Sequence, residues 1–380
     1  MNTTVLAFIA GILLLLIVLW DAFETMVLPR RVRREIRLAR LFYRSLWKLW
    51  LVVWRKVPGK KARESFLSFF GPLSLLLLLI VWAAALILSF GLLQYSLGSV
   101  VEHGGRATNS FTYLYLSATT FFTLGIGDVT PGSQLARALT AIESGVGFGF
   151  LAIVIGYLPV IHQSFSRREV SIAMLDARAG SPPTAGELLR RYSYSLGLTE
   201  LQKLLADWER WSAELLESHL SYPVLAYFRS QHDNQSWLAS LTTILDTCAL
   251  LMTGPVDSCQ RQAELTFAIA RHAVVDLAQV FDAPPKAPEI GRLTAEDLQK
   301  LRPNLATLGI PLREGAEAEQ RLTQLRALYE PYVASLARSL YVKLPPWTPQ
   351  GPRKDNWQTS AWGRISGVLQ EASPAPDDHE

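Results

Sequence analysis

The 380-residue chain is 49% hydrophobic and 18% charged, enough for a membrane domain with one soluble domain beside it. Its net charge of +4 hides an uneven layout: Leu28 to Ser65 carries thirteen Lys/Arg against two Glu, and the rest of the chain sums to −7. One basic segment suits an anionic membrane face rather than nucleic acid, and two cysteines, Cys248 and Cys259, exclude a disulfide framework and read as reduced cytosolic thiols.

The first predicted element is an apolar span within residues 1–28, from about Val5 to Leu28, interrupted only by Asp21 and Glu24. A bilayer core of about 30 Å needs roughly 20 apolar residues as helix, so it is long enough to cross. A cleaved signal peptide is disfavoured: Met1-Asn2-Thr3-Thr4 has no positive charge, and no small-residue cleavage pattern follows Trp20. Asp21 and Glu24 share a helix face and are expected to pair with Arg30, Arg31, Arg33 and Arg34, proton sensing being the alternative.

Residues 29–68 form a basic segment, with an amphipathic helix over 35–56 lying on the cytoplasmic membrane face. Trp47, Trp50 and Trp54 suit the headgroup level, and anionic lipids are the expected partners of residues 29–64. Arg31, Arg34, Arg37 and Arg40 recur every third residue, but only one span precedes them, which argues against a voltage sensor.

Residues 69–165 are the densest in signals. Helices are predicted over 73–97, without a charge, and over 138–161, with Glu143 as its one charge. Basic residues follow the first and third spans, which places the N-terminus outside and the C-terminus in the cytoplasm. Between the second and third spans, residues 111–121 read as a short helix re-entering the membrane, followed by Thr123-Leu124-Gly125-Ile126-Gly127-Asp128. Non-helical backbone at that depth is tolerated only where it is buried in protein or lines a wet cavity. Carbonyls pointing one way can replace the water shell of a cation, and the alternating handedness this needs is what Gly125 and Gly127 permit. Asp128 can hold the strand by bonding to the short helix.

This stretch, from about Leu73 to Ile161, resembles the two-helix-plus-pore-loop module of prokaryotic-type potassium channels, whose signature is Thr-Val-Gly-Tyr-Gly-Asp. Thr123, Gly125, Gly127 and Asp128 match it, and Thr130-Pro131 follow as in the family; Leu124 replaces Val, Ile126 the usual aromatic, and Phe122 a common Thr. The resemblance implies K⁺ as the permeant ion, bound by carbonyls over Thr123, Leu124, Gly125, Ile126 and Gly127 with the Thr123 hydroxyl. It implies three identical partner subunits, since one chain carries one loop. It also implies Gly147 as a gating hinge in the inner helix, with close helix packing as the alternative, and a polar partner of the pore helix at Glu143, with a cavity site as its alternative. No cofactor, and no metal beyond K⁺, is expected.

Residues 166–343 read as a cytoplasmic helical domain with helices at 186–195, 199–219, 236–252, 257–281, 295–304 and 315–342. No βαβ alternation or dinucleotide-binding fingerprint occurs. Trp237 to Met252 is apolar, but at 16 residues with Asp246 it reads as a core helix. His219, His272, Asp276 and the polar run 230–235 lack tight ligand spacing, so caps or subunit contacts are the simpler reading. Residues 344–380 read as a flexible tail.

The expected fold is therefore an all-α membrane protein, a tetrameric pore-loop channel module with a cytoplasmic α-helical domain, multi-pass in a prokaryotic plasma or inner membrane. The expected function is passive K⁺ conduction, gated through the cytoplasmic domain by an unidentified effector. The alternatives are a weakly selective cation channel and a non-conducting membrane-anchored scaffold. No nucleophile–base motif, Walker sequence or zinc signature supports an enzyme.

Overall fold

The computed structural model describes residues 3–28, 38–98, 100–102, 109–194, 196–232, 234–254, 257–288, 291–307, 309–349 and 351. The chain divides into two compact units, Met1–Gln163 and Ser164–Glu380.

In the first unit, α1 (Thr3–Ala22) runs into a π-helical turn, Phe23–Val27. α2 (Leu38–Trp54), α3 (Lys60–Ser68) and α4 (Phe70–Leu97) follow, then β1 (Val100–Glu102), α5 (Ser110–Phe121), β2 (Val129–Pro131) and α6 (Gln134–Ala179). Among the described residues, three helical stretches are long and apolar enough to cross a membrane: Thr3–Val27, Lys60–Leu97 and Gln134–Ala179. α6 outruns its predicted span of 138–161; at 46 residues it is about 70 Å long, more than twice a bilayer core. Arg167, Arg168 and Glu169 end its apolar character without ending the helix.

Asp21 has described partners besides the arginines expected to pair with it, which lie outside the described residues. It is buried, and it accepts the Ala39 amide at the start of α2 (3.1 Å) and the Trp82 indole N–H of α4 (3.0 Å). The first amides of a helix lack intrahelical partners, so Asp21 supplies one for α2 from outside the helix. Glu24 accepts the Trp20 indole N–H at 2.8 Å. Arg30, Arg31, Arg33 and Arg34 lie outside the described residues, as does Arg37 of the argining spacing above. Trp47 is not displayed at the surface: it is buried with its ring 4.6 Å from Phe70, edge-on, while Trp50 stacks on Phe66 at 4.4 Å.

The second unit is helical throughout its described elements. After the end of α6 come α7 (Ala185–Arg191), α8 (Gly197–Ser221), a 3-10 turn (Pro223–Tyr227), α9 (Trp237–Leu251), α10 (Asp257–Val280), α11 (Ala295–Thr307), α12 (Ala316–Ala327) and α13 (Glu330–Leu340). The predicted helix 315–342 is two helices, because Pro331 begins a new one in its first turn. Every residue of α9 is buried, which makes it the core helix of this unit. Its charge is matched: Asp246 accepts from the Tyr329 hydroxyl at 2.5 Å and from Arg292. Burial pushes the Asp246 carboxyl up to about 7, with Arg292 opposing the shift.

The tail expected from residue 344 begins as packed structure. Trp347 is 1% exposed, the guanidiniums of Arg292 and Arg326 lie over its ring at 5.7 and 5.5 Å, and its carbonyl accepts the Gly186 amide at 2.9 Å. Two cations on one indole, plus full burial, outweigh the extended preference of Pro345-Pro346. Residues 352–380 of that tail lie outside the described residues. Trp347→Ala should destabilise this unit by about 3–5 kcal/mol, and Trp347→Phe by less, read from denaturant unfolding of the detergent-solubilised chain followed by circular dichroism.

His219 is buried, with Nδ1 2.9 Å from the Leu215 carbonyl and Nε2 3.2 Å from Arg168 Nη1. Burial and the Arg168 charge hold its pKa well below the ordinary value. His272 lies 4.0 Å from Asp276, one turn along α10, and Asp233 of the polar run lies outside the described residues. Among the described residues, no group of three or more His, Cys, Asp or Glu gathers as a metal site.

Candidate functional site

The site is built on α5. Asn109 caps it, accepting the Thr112 amide at 3.0 Å while the Thr112 hydroxyl accepts the Asn109 amide at 3.3 Å, a reciprocal capping box. At its other end the helix gives way sharply. The Thr123 amide reaches the Thr120 carbonyl (2.9 Å), and the Leu124 amide reaches the Thr119 carbonyl (2.7 Å). Carbonyls that a helix C-terminus leaves without partners thus anchor the base of the following loop.

Along that loop the backbone alternates in handedness. Thr123, Gly125 and Gly127 have φ of +56°, +55° and +85°, and no positive φ falls at Leu124 or Ile126. Alternating right- and left-handed residues turn successive carbonyls toward one side, the arrangement that can replace a cation's water shell. The glycines reach this conformation cheaply; Thr123, β-branched, does so against its preference. Sequence reasoning assigned left-handed backbone only to Gly125 and Gly127 and missed Thr123, although a period of two counted back from Gly125 leads to it. The side chains of Phe122, Leu124 and Ile126 are 58–63% exposed within a single chain.

The far end of the loop is also held. Asp128 accepts the Tyr115 hydroxyl of α5 at 3.0 Å and the Val129 amide at 3.1 Å. β2 then pairs antiparallel with β1, Val129 opposite Glu102 and Pro131 opposite Val100. Tyr115 is a supporting residue that the sequence did not single out; its signal was a phenol on α5 within reach of an acid thirteen residues on.

Glu143 of α6 is fully buried, and its carboxyl is hydrogen-bonded to Ser117 of α5; the Ser117 Oγ also lies 2.7 Å from the Ile87 carbonyl of α4. Gln94 of α4 links the same helices, donating to the Thr140 hydroxyl (2.9 Å) and the Ala136 carbonyl (3.2 Å) of α6. Gly147 lies one turn further along α6, where a Cβ would sit 2.1 Å from the Phe121 carbonyl oxygen. α6 passes Gly147 as unbroken helix, and this close approach to the end of α5 accounts for the missing side chain.

Comparison with a family model falls on the same segment. Residues 74–161 match a family model described as "Ion channel". Over 259 residues the chain is 26% identical to an uncharacterized membrane protein of Bacillus subtilis (strain 168), YdjJ, an overlap of 65% of this chain and 74% of that protein. No solved structure matches.

Proposed function

We propose that this chain, an ion-channel protein whose channel module spans residues 74–161, conducts K⁺ passively as a homotetramer. The observation that carries the reading is the alternation of φ at Thr123, Gly125 and Gly127, which suits a column of carbonyl ligands over Thr123, Leu124, Gly125, Ile126 and Gly127. Asp128 and Glu143 act as supports of that column, one at its outer end and one behind α5. The exposed side chains of the loop in a single chain fit a structure completed by further copies around an axis.

Gating is assigned to the helical second unit and an effector that it binds, with α6 moving at Gly147. Such movement would have to withdraw the helix from the Phe121 carbonyl. Anionic lipid along residues 29–64, a prokaryotic plasma or inner membrane, an external N-terminus and a cytoplasmic C-terminus complete the reading.

A weakly selective cation channel is the second reading, favoured by one observation: Ile126 offers no ring donor with which to brace the filter against α5. Purified protein in planar bilayers under opposed K⁺ and Na⁺ gradients separates the two. A reversal potential following K⁺ supports selective conduction, and one midway supports the second reading. Absence of current over a range of pH and lipid composition would sink both.

A further inference from the structure

We infer that Glu143 is a neutral carboxylic acid behind the filter, the first donor in a chain Glu143–Ser117–Ile87 that ties α6, α5 and α4 together, and that removing its proton shuts conduction. The link to conduction rests on the filter reading above; the protonation itself does not.

The argument is a count of protons. The Ser117 hydroxyl has one. Its oxygen lies 2.7 Å from the Ile87 carbonyl oxygen and within hydrogen-bonding reach of Glu143 Oε1. A carbonyl has no proton to give, and an ionised carboxylate is an acceptor only. With Glu143 ionised, Ser117 would face two acceptors with one proton, and one pair of oxygens would be in contact with none between them. A proton on Oε1 satisfies both contacts: Glu143 donates to Ser117, and Ser117 donates to Ile87.

A second, independent observation agrees. Among the described residues, no protein group hydrogen-bonds to the buried Glu143 Oε2. A carboxylate offers about four acceptor positions, and leaving an anionic oxygen bare in an apolar interior is far costlier than leaving bare the carbonyl oxygen of a neutral acid. Because Glu143 is enclosed within one chain already, additional copies cannot bring it a donor. Among the described residues no ion pair reaches it: α5 contributes the Ser117 hydroxyl, which in turn meets the Ile87 carbonyl of α4. The titratable groups of those helices are engaged elsewhere, Tyr115 with Asp128, and Tyr95 edge-on to Tyr113 at 5.4 Å.

Position gives the chain its consequence. Glu143 precedes Gly147 by about one helical turn, and Gly147 rests on Phe121 at the end of α5. The chain therefore fixes α6 against the helix whose Thr119 and Thr120 carbonyls anchor the filter. When hydroxide removes the proton as water, Ser117 can serve Glu143 or Ile87 but not both, and the three-helix tie opens.

The test uses the full-length protein in vesicles of neutral and anionic phospholipid, with two readouts. Infrared difference spectra across a pH titration should show the carbonyl stretch of a protonated carboxylic acid at neutral pH, absent in Glu143→Gln. In parallel, K⁺ flux should fall about tenfold per pH unit above the titration point. Glu143→Gln, whose amide N–H replaces the acid as donor to Ser117, should lose that pH dependence, while Glu143→Ala should lose flux at every pH. If the substitution removes no such band, the protonation is wrong. If the band is present but wild-type flux ignores pH, the link to conduction is wrong. Flux absent from the wild type at every pH would overturn the filter reading and leave the infrared result to decide the protonation.

Discussion

Gly125→Val is expected to abolish ion flux while leaving the chain folded and assembled. Gly125 has φ of +55°, and a Cβ added there would meet nothing within 4 Å inside the subunit. The effect therefore comes from the backbone rather than from a clash. A left-handed residue with a side chain costs about 1–2 kcal/mol, more when the side chain is branched at Cβ, and in the proposed tetramer every copy would bear that cost. Valine relieves it by returning to extended or right-handed backbone, which turns its carbonyl out of line with those of Thr123 and Gly127. Thr123 shows what tolerating such strain requires: its own amide and that of Leu124 are both tied to carbonyls of α5. Gly125 has only a longer contact, 3.5 Å to the Thr119 carbonyl, to hold it. Flux of K⁺ from loaded vesicles, with native mass spectrometry to count subunits, decides the matter. Flux at the wild-type rate in an intact assembly would mean that these carbonyls do not form the conduction path.

The parts of this architecture that the sequence disclosed are those written in local composition. The two spans flanking the loop 123–128, the short helix between them and the left-handed glycines each follow from a run of apolar residues or a lone Gly. What it hid depends on residues distant along the chain. Asp21 reads as an acid beside a basic cluster, and nothing local foretells that it also accepts the Ala39 amide and the Trp82 indole, the latter 61 residues away. Trp347 sits in a stretch whose prolines suggest a loose tail, and its burial rests on Arg292, Arg326 and the helical core that it joins. β1 and β2 are three residues each, too short for an alternation to register, and they exist through pairing with one another. The end of α6 was misjudged because charge marks where an apolar span stops, and a helix can continue into water or onto another core.

At Gly147 even a methyl group is excluded, and Gly147→Ala should both destabilise the channel module and lower its flux. The added Cβ would lie 2.1 Å from the Phe121 carbonyl oxygen, 2.9 Å from its carbon and 3.1 Å from its Cα. All three atoms are backbone, so no change of rotamer makes room, and α6 must move away from the end of α5. Overpacking of this kind costs about 1–3 kcal/mol, against a gain of roughly 1 kcal/mol from replacing a helical glycine by alanine. Gly145, Gly149 and Gly156 provide the contrast, since a Cβ at any of them meets nothing within 4 Å inside the subunit. Alanine at those positions should be neutral or stabilising wherever a neighbouring copy leaves space. Thermal unfolding in detergent, measured for all four variants beside their flux, distinguishes two accounts of Gly147. A glycine kept only as a hinge predicts an unchanged or higher melting temperature with altered opening. A glycine kept because two helices touch there predicts a lower melting temperature, and flux falling with it as α6 draws away from the end of α5.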